Sequence, residues 1–231
     1  MRALAVTAAL CVGLIWGMAA VRFAVFPYPQ LRAVVAPLIP DGPVPQDLQA
    51  AARQSLFAQL PPGRADIVFL GDSLTRQGLW SEQFPDAAIA NRGIDGDLTG
   101  DILARVGPLE RTGARTIYLM AGINDLIEGR SVVETAGTLR DILRALAAQG
   151  HDVVVQSVLP CDPAACGVAP ERIAALNARL AEVAAAEGAV WLDLTPAFPR
   201  AALPQLTHDG LHLTGAGYRA WADAVSAAGG P

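Results

Sequence analysis

Beyond residue 60 the chain alternates short apolar runs with longer segments whose apolar residues return every three or four positions. Residues 67–70, 116–121 and 190–194 are apolar runs of strand length, 152–158 is strongly β-branched, and 87–90 is a weaker fifth run. Residues 98–109, 132–148, 171–187 and 214–228 carry the helical period. Gly150 ends the second of these, and Pro170 and Gly188 bracket the third. There is no internal repeat. Strands alternating with helices of this length predict parallel βαβ units. The fold class is therefore α/β, a flavodoxin-like doubly wound sheet of about five parallel strands with helices on both faces. In such a sheet the functional site forms beyond the carboxyl ends of the strands.

The pattern differs before residue 65. Residues 3–21 contain no charge and are flanked by Arg2 and Arg22, a run long enough to span a hydrocarbon core as a helix. No clean Ala-x-Ala site follows it, and Trp16, Phe23 and Phe26 suit an interface. We therefore read residues 1–25 as a signal anchor, with a cleaved signal peptide as the competing reading. Residues 26–64 form a proline-rich linker that includes a short amphipathic helix over 47–60, and residues 65–231 form the globular domain. Either reading places that domain on the periplasmic side of a bacterial inner membrane, anchored there or secreted after cleavage. Cys161 and Cys166 lie close together in a loop, and an oxidising compartment would permit a disulfide between them, although two free thiols would have the same sequence.

Composition narrows the chemistry. All 17 cations are arginine, which removes a Walker phosphate loop, a Schiff-base lysine and a Ser–Lys dyad. The net charge of −5 offers no basic face for nucleic acid. The three cysteines lack the partners of a closed zinc site. Imidazole chemistry is limited to His151, His208 and His212.

Four clusters occupy the loops after the first, second, third and fifth strands. In Gly71-Asp72-Ser73-Leu74 a serine at a tight strand-to-helix turn can present its hydroxyl above the sheet edge; it can equally cap a helix. The pattern lacks the second glycine of the Gly-x-Ser-x-Gly elbow, since Thr75 stands there. Asn91-Arg92-Gly93-Ile94-Asp95-Gly96-Asp97 contains Gly96, whose bare backbone lets its N–H approach a substrate oxygen, though glycine and aspartate are also ordinary turn residues. Gly122-Ile123-Asn124-Asp125 offers the Asn124 amide as an oxyanion donor, or a turn asparagine in left-handed geometry. In Asp209-Gly210-Leu211-His212 the aspartate can orient the imidazole and stabilise its charged form, or the cluster is a surface turn with an incidental histidine. His208 lacks an aspartate at that spacing, and His151 precedes the fourth strand, at the opposite end of the sheet.

Together, and in this order, the four blocks resemble those of the SGNH (GDSL-type) hydrolase superfamily of esterases, lipases and acylhydrolases, over about residues 67–218. The resemblance implies Ser73 as nucleophile, His212 as base and Asp209 as its orienting partner. It implies an oxyanion hole made by the backbone N–H groups of Ser73 and Gly96 and the Asn124 amide. Leu98 departs from the threonine that many members carry after Gly-Asp, a change expected to affect substrate fit. The expected function is hydrolysis of a carboxylic ester through an acyl-serine intermediate, with no metal or organic cofactor. The expected partners are an extracytoplasmic glycan, lipid or small-molecule acyl ester, and the membrane through the N-terminal helix. Thioester hydrolysis or acyl transfer would use the same triad, and a non-catalytic membrane-tethered binding module is the reading outside enzymology.

Overall fold

The computed structural model describes residue 16, residues 45–59 and residues 64–231. The expected anchor, apart from residue 16, and most of the linker lie outside the described residues. Among the described residues no helix is long and apolar enough to cross a membrane.

Five strands form one sheet: β1 (Ile67–Gly71), β2 (Ile89–Gly93), β3 (Thr116–Met120), β4 (Asp152–Gln156) and β5 (Val190–Leu192). All four pairings are parallel and the order is β2-β1-β3-β4-β5. The helices follow from that order. Parallel crossovers are right-handed, so the connection running from β1 out to β2 covers one face, and those running back through β3, β4 and β5 cover the other. The first face carries α2 (Ser73–Gln77) and α3 (Trp80–Gln83), joined there by the terminal helix α10 (Gly215–Ala227). The second carries α4 (Thr99–Ala104), α6 (Val132–Ala148) and α8 (Pro170–Ala186), with α6 in contact with both of the others. Between these lie short helices α5 (Ile123–Ile127), α7 (Pro163–Cys166) and α9 (Leu203–Leu206), and ahead of them all stands α1 (Pro45–Gln59).

Alternation along the strands divides the core. Phe69 of β1 and Tyr118 of β3 are register partners whose rings stack at 5.0 Å. Trp80 stacks on Phe69 at 4.2 Å, and Trp221 of α10 stands edge-on to Trp80 at 4.8 Å. The alternate residues Val68, Leu70, Ile117 and Leu119 are fully buried toward the other face. There α6 presents Ala136, Leu139, Leu143 and Leu146, and α8 presents Ile173, Leu176, Leu180 and Val183, at helical spacing. A capping box opens α6: Ser131 Oγ accepts the Glu134 N–H and Glu134 accepts the Ser131 N–H.

Three differences from the sequence reading have physical causes. The second strand lies at 89–93 instead of 87–90 because its polar residues Asn91 and Arg92 are used structurally. Asn91 Nδ2 donates to the carbonyls of Thr75, Arg76 and Gly78 at 2.9, 3.0 and 3.1 Å, closing the carboxyl end of α2. The helix expected over 98–109 is six residues of α4 followed by a 3₁₀ segment, Gly107–Thr112. The helix expected within the linker belongs to the same compact unit as the sheet. There Arg53 Nε donates to the Gly93 carbonyl at 2.6 Å, and the Arg92 guanidinium lies 4.6 Å from the Phe57 ring centroid.

Candidate active site

The order β2-β1-β3 makes the carboxyl end of β1 the point where chain direction across the sheet reverses, and a crevice opens there. Ser73 follows β1 by two residues. Asp72 caps α2, its Oδ1 accepting the Leu74 N–H at 3.0 Å, so Ser73 is the first helical residue and not the cap. This leaves the Ser73 hydroxyl free for another partner, and its backbone N–H is among those left unpaired at a helix start. Gly93 allows the tight fit of β2 against this turn, since a Cβ there would overlap the Arg76 amide and the Asp72 carbonyl.

The other partner of Ser73 comes from the far end of the chain. Ser73 Oγ lies 3.1 Å from His212 Nε2, across 139 residues of sequence. On the opposite side of the ring, His212 Nδ1 lies 2.7 Å from Asp209 Oδ2. Asp209 Oδ1 accepts the backbone N–H groups of His212 and Leu211 at 2.7 and 3.0 Å, so one carboxylate sets both the turn and the ring. Partial burial works to raise the Asp209 pKa, but the hydrogen bonds from the His212 ring and the two amides outweigh it, and the group titrates well below the usual carboxylate range. A carboxylate at Nδ1 favours the tautomer whose Nε2 can accept the serine proton.

His208 is held differently. Its ring stacks on His212 at 5.9 Å, and its Nδ1 stands 4.0 Å from Asp209 Oδ2, beyond hydrogen-bond reach. His151 lies at the amino end of β4, where its Nδ1 meets the Ala114 carbonyl at 2.8 Å.

The second and third blocks flank the serine. Gly96 has φ 76°, and a Cβ there would meet nothing within 4 Å, so the space beside it is open. Gly122, with φ 120°, takes the left-handed turn before α5, which leaves Asn124 helical. Asn124 Nδ2 donates one hydrogen to the Asp97 carbonyl at 3.0 Å and keeps a second. Beneath them is a frame whose contacts the sequence does not show. Asp125 accepts the Thr99 N–H and hydroxyl at 2.9 and 2.7 Å. Arg105 Nε donates to Asp97 at 2.6 Å, and its Nη2 donates to the Gly71 carbonyl at 3.0 Å. Arg76 pairs with Asp95. Tyr218 of α10 donates its hydroxyl to the Leu74 carbonyl at 2.8 Å. Asp125 and Tyr218 stand within or beside recognised blocks, whereas the Asp97–Arg105 spacing carries no local signal.

Cys161 and Cys166 are joined by a disulfide. The loop it closes supports the histidine turn: Asp162 N–H donates to the Gly210 carbonyl at 2.7 Å, and a Cβ on Gly210 would crowd Asp162 and Ala165. Among the described residues no group of three His, Cys, Asp or Glu side chains is placed to hold a metal ion.

Solved structures share this architecture. One, a Streptococcus pneumonia protein named for platelet activating factor, is 26% identical, with TM-score 0.70 over 79% of this chain and 92% of its own. A GDSL-like lipase from Bacteroides thetaiotaomicron is 25% identical, with TM-score 0.63 over 78% and 95%. A variant of an acetyl-xylooligosaccharide esterase from Geobacillus Stearmophilus shares the fold at 18% identity, with TM-score 0.58 over 71% and 94%. No curated protein matches the chain. The model of the GDSL-like Lipase/Acylhydrolase family matches residues 69–220, four-block region included. The chain belongs to that family, and is a GDSL-type carboxylic ester hydrolase with the SGNH hydrolase fold.

Proposed function

We propose that the chain hydrolyses an extracytoplasmic acyl ester through an acyl-enzyme on Ser73. The observation that carries this reading is the hydrogen-bonded line Ser73 Oγ, His212, Asp209, at 3.1 and 2.7 Å. His212 Nε2 takes the hydroxyl proton as Oγ bonds to the ester carbon. The tetrahedral oxyanion is met by the N–H groups of Ser73 and Gly96 and by the free hydrogen of Asn124 Nδ2. As the carbon–alkoxy bond breaks, the imidazolium returns the proton to the departing alcohol. Water then adds to the acyl carbon with His212 as base, and as the bond from that carbon to Ser73 Oγ breaks the imidazolium returns the proton to Oγ and the acid is released. Asp209 keeps the ring aligned and offsets the imidazolium charge.

The extracytoplasmic placement rests on the charge-free segment 3–21 between Arg2 and Arg22 and on the disulfide. Protease added to intact spheroplasts should digest the domain if it faces outward, and protection would reject that placement.

Turnover of p-nitrophenyl esters of increasing acyl length by the full chain tests the reaction. Ester cleavage that disappears in Ser73→Ala supports the proposal, and the length profile sizes the acyl pocket. Cleavage that survives the substitution rejects Ser73 as nucleophile.

A further inference from the structure

The carboxyl of Asp72 stands beside the nucleophile and has no task in the acyl transfer just described. It has no solvent exposure. Oδ1 accepts the Leu74 N–H, while Oδ2 is buried with no hydrogen-bond partner. The charged and titratable groups around it come from four places: Asp97 after β2, Arg105 at the carboxyl cap of α4, His212 on the final turn and Tyr218 on α10. Arg105 is the cation among them, and it is already held by Asp97 at 2.6 Å and the Gly71 carbonyl at 3.0 Å. An ionised carboxylate with one oxygen unpaired by any side chain or backbone amide, and no cation of its own, is an expensive group to bury.

We propose that Asp72 is a positioning residue that works as a neutral carboxylic acid: uncharged, it caps α2 and holds Ser73 toward His212, and its ionisation shuts the site down. The inference rests on the reading of Ser73 and His212 as nucleophile and base. The neutral form keeps the cap, because its carbonyl oxygen still accepts the Leu74 N–H. Burial pushes the Asp72 carboxyl up to about 7; the Leu74 amide and His212 pull it partly back, and the Asp97 carboxylate adds to the rise. An anion at this position opposes the reaction by repelling the negative charge that develops on the substrate oxygen beside the Ser73 amide. The effect grows as pH rises and more Asp72 ionises, opposite to the gain expected from histidine deprotonation alone.

The test is the pH profile of kcat/KM for the full chain on p-nitrophenyl acetate, with each variant scaled to its own maximum. The wild type should fall on the alkaline side with a limiting slope of about tenfold per pH unit. Asp72→Asn keeps a cap acceptor but cannot ionise, and its profile should reach a plateau there. An alkaline fall of the same size in Asp72→Asn, or none in the wild type, overturns the proposal. Infrared spectra supply a readout that needs no turnover and follow the wild-type carboxyl directly. A carbonyl band of a protonated carboxyl should be present at pH 6, lost by pH 9, and absent from Asp72→Asn. Absence of that band from the wild type at pH 6 overturns the proposal even where Ser73→Ala is inactive. An active Ser73→Ala would overturn the catalytic reading, and the proposal with it.

Discussion

At His212 the two ring nitrogens have separate duties, because Asp209 holds Nδ1 at 2.7 Å and leaves Nε2 facing Ser73 at 3.1 Å. His212→Ala should therefore abolish ester turnover, while His208→Ala, whose ring touches neither Ser73 nor Asp209 by hydrogen bond, should retain it. The opposite pattern in steady-state rates would move the base to His208. Asn124 donates one hydrogen to Asp97, and in the proposed reaction its other hydrogen meets the oxyanion. Asn124→Ala should lower kcat by roughly 100- to 1000-fold, the usual cost of one oxyanion donor, with a thermal midpoint close to that of the wild type. A kcat within twofold of wild type would remove Asn124 from the oxyanion hole. These residues were legible in the sequence because each sits in a short local block of distinctive chemistry. Asp72 was visible only as a letter of the first block. Its burial and its bare Oδ2 depend on α10 and the loop after β2, which no local pattern reports.

Among the elements, the four long helices α1, α6, α8 and α10 and four of the five strands could be read from the pattern of apolar and polar positions. The helices α2, α3, α5, α7 and α9, of four or five residues each, could not. Helices so short are not stable on local propensity and are set by caps and by what they pack on. Asn91 illustrates the difficulty: as a polar residue it disguised β2, yet it closes α2 through three carbonyls. The contact between these two elements yields a stability prediction. Gly93→Ala inserts a methyl group against the Arg76 amide and the Asp72 carbonyl. It should cost about 1–3 kcal/mol by forcing β2 and α2 apart and should lower kcat by displacing Ser73. Gly129→Ala, where a Cβ meets nothing within 4 Å but φ is 82°, is the control for backbone strain alone. Urea unfolding of both variants checks the difference, and equal kcat losses would reject a packing role for Gly93.

Across the whole molecule, a sheet ordered β2-β1-β3-β4-β5 gathers loops from four places in the chain at one edge. The disulfide-closed loop then buttresses the histidine turn through the Asp162–Gly210 hydrogen bond. Closing so short a loop should contribute roughly 2 kcal/mol. Replacing both cysteines by alanine should lower the thermal midpoint and reduce kcat more than it raises KM; unchanged kcat would confine the bridge to stability. The charges of the fold also predict how stability varies with pH. The Asp72 carboxyl, raised to about 7 in the folded state from an ordinary 3.8, contributes stability below its unfolded pKa and loses it as pH rises through 7. The Asp72→Asn midpoint should thus gain on the wild type from about pH 4 to 7 and keep a steady lead above that, and a constant difference across the lower range would contradict the assignment. Asp209, lowered in the folded state, works in the other direction, its contribution fading as pH falls below the ordinary carboxylate range. The central claim, a covalent intermediate on Ser73, is tested most directly by rapid acid quenching of the full chain during turnover of a p-nitrophenyl ester, followed by peptide mass mapping. One acyl group on the peptide bearing Ser73, absent from Ser73→Ala, is the expected result. Turnover with the acyl group on another residue, or undiminished turnover by Ser73→Ala, would contradict it.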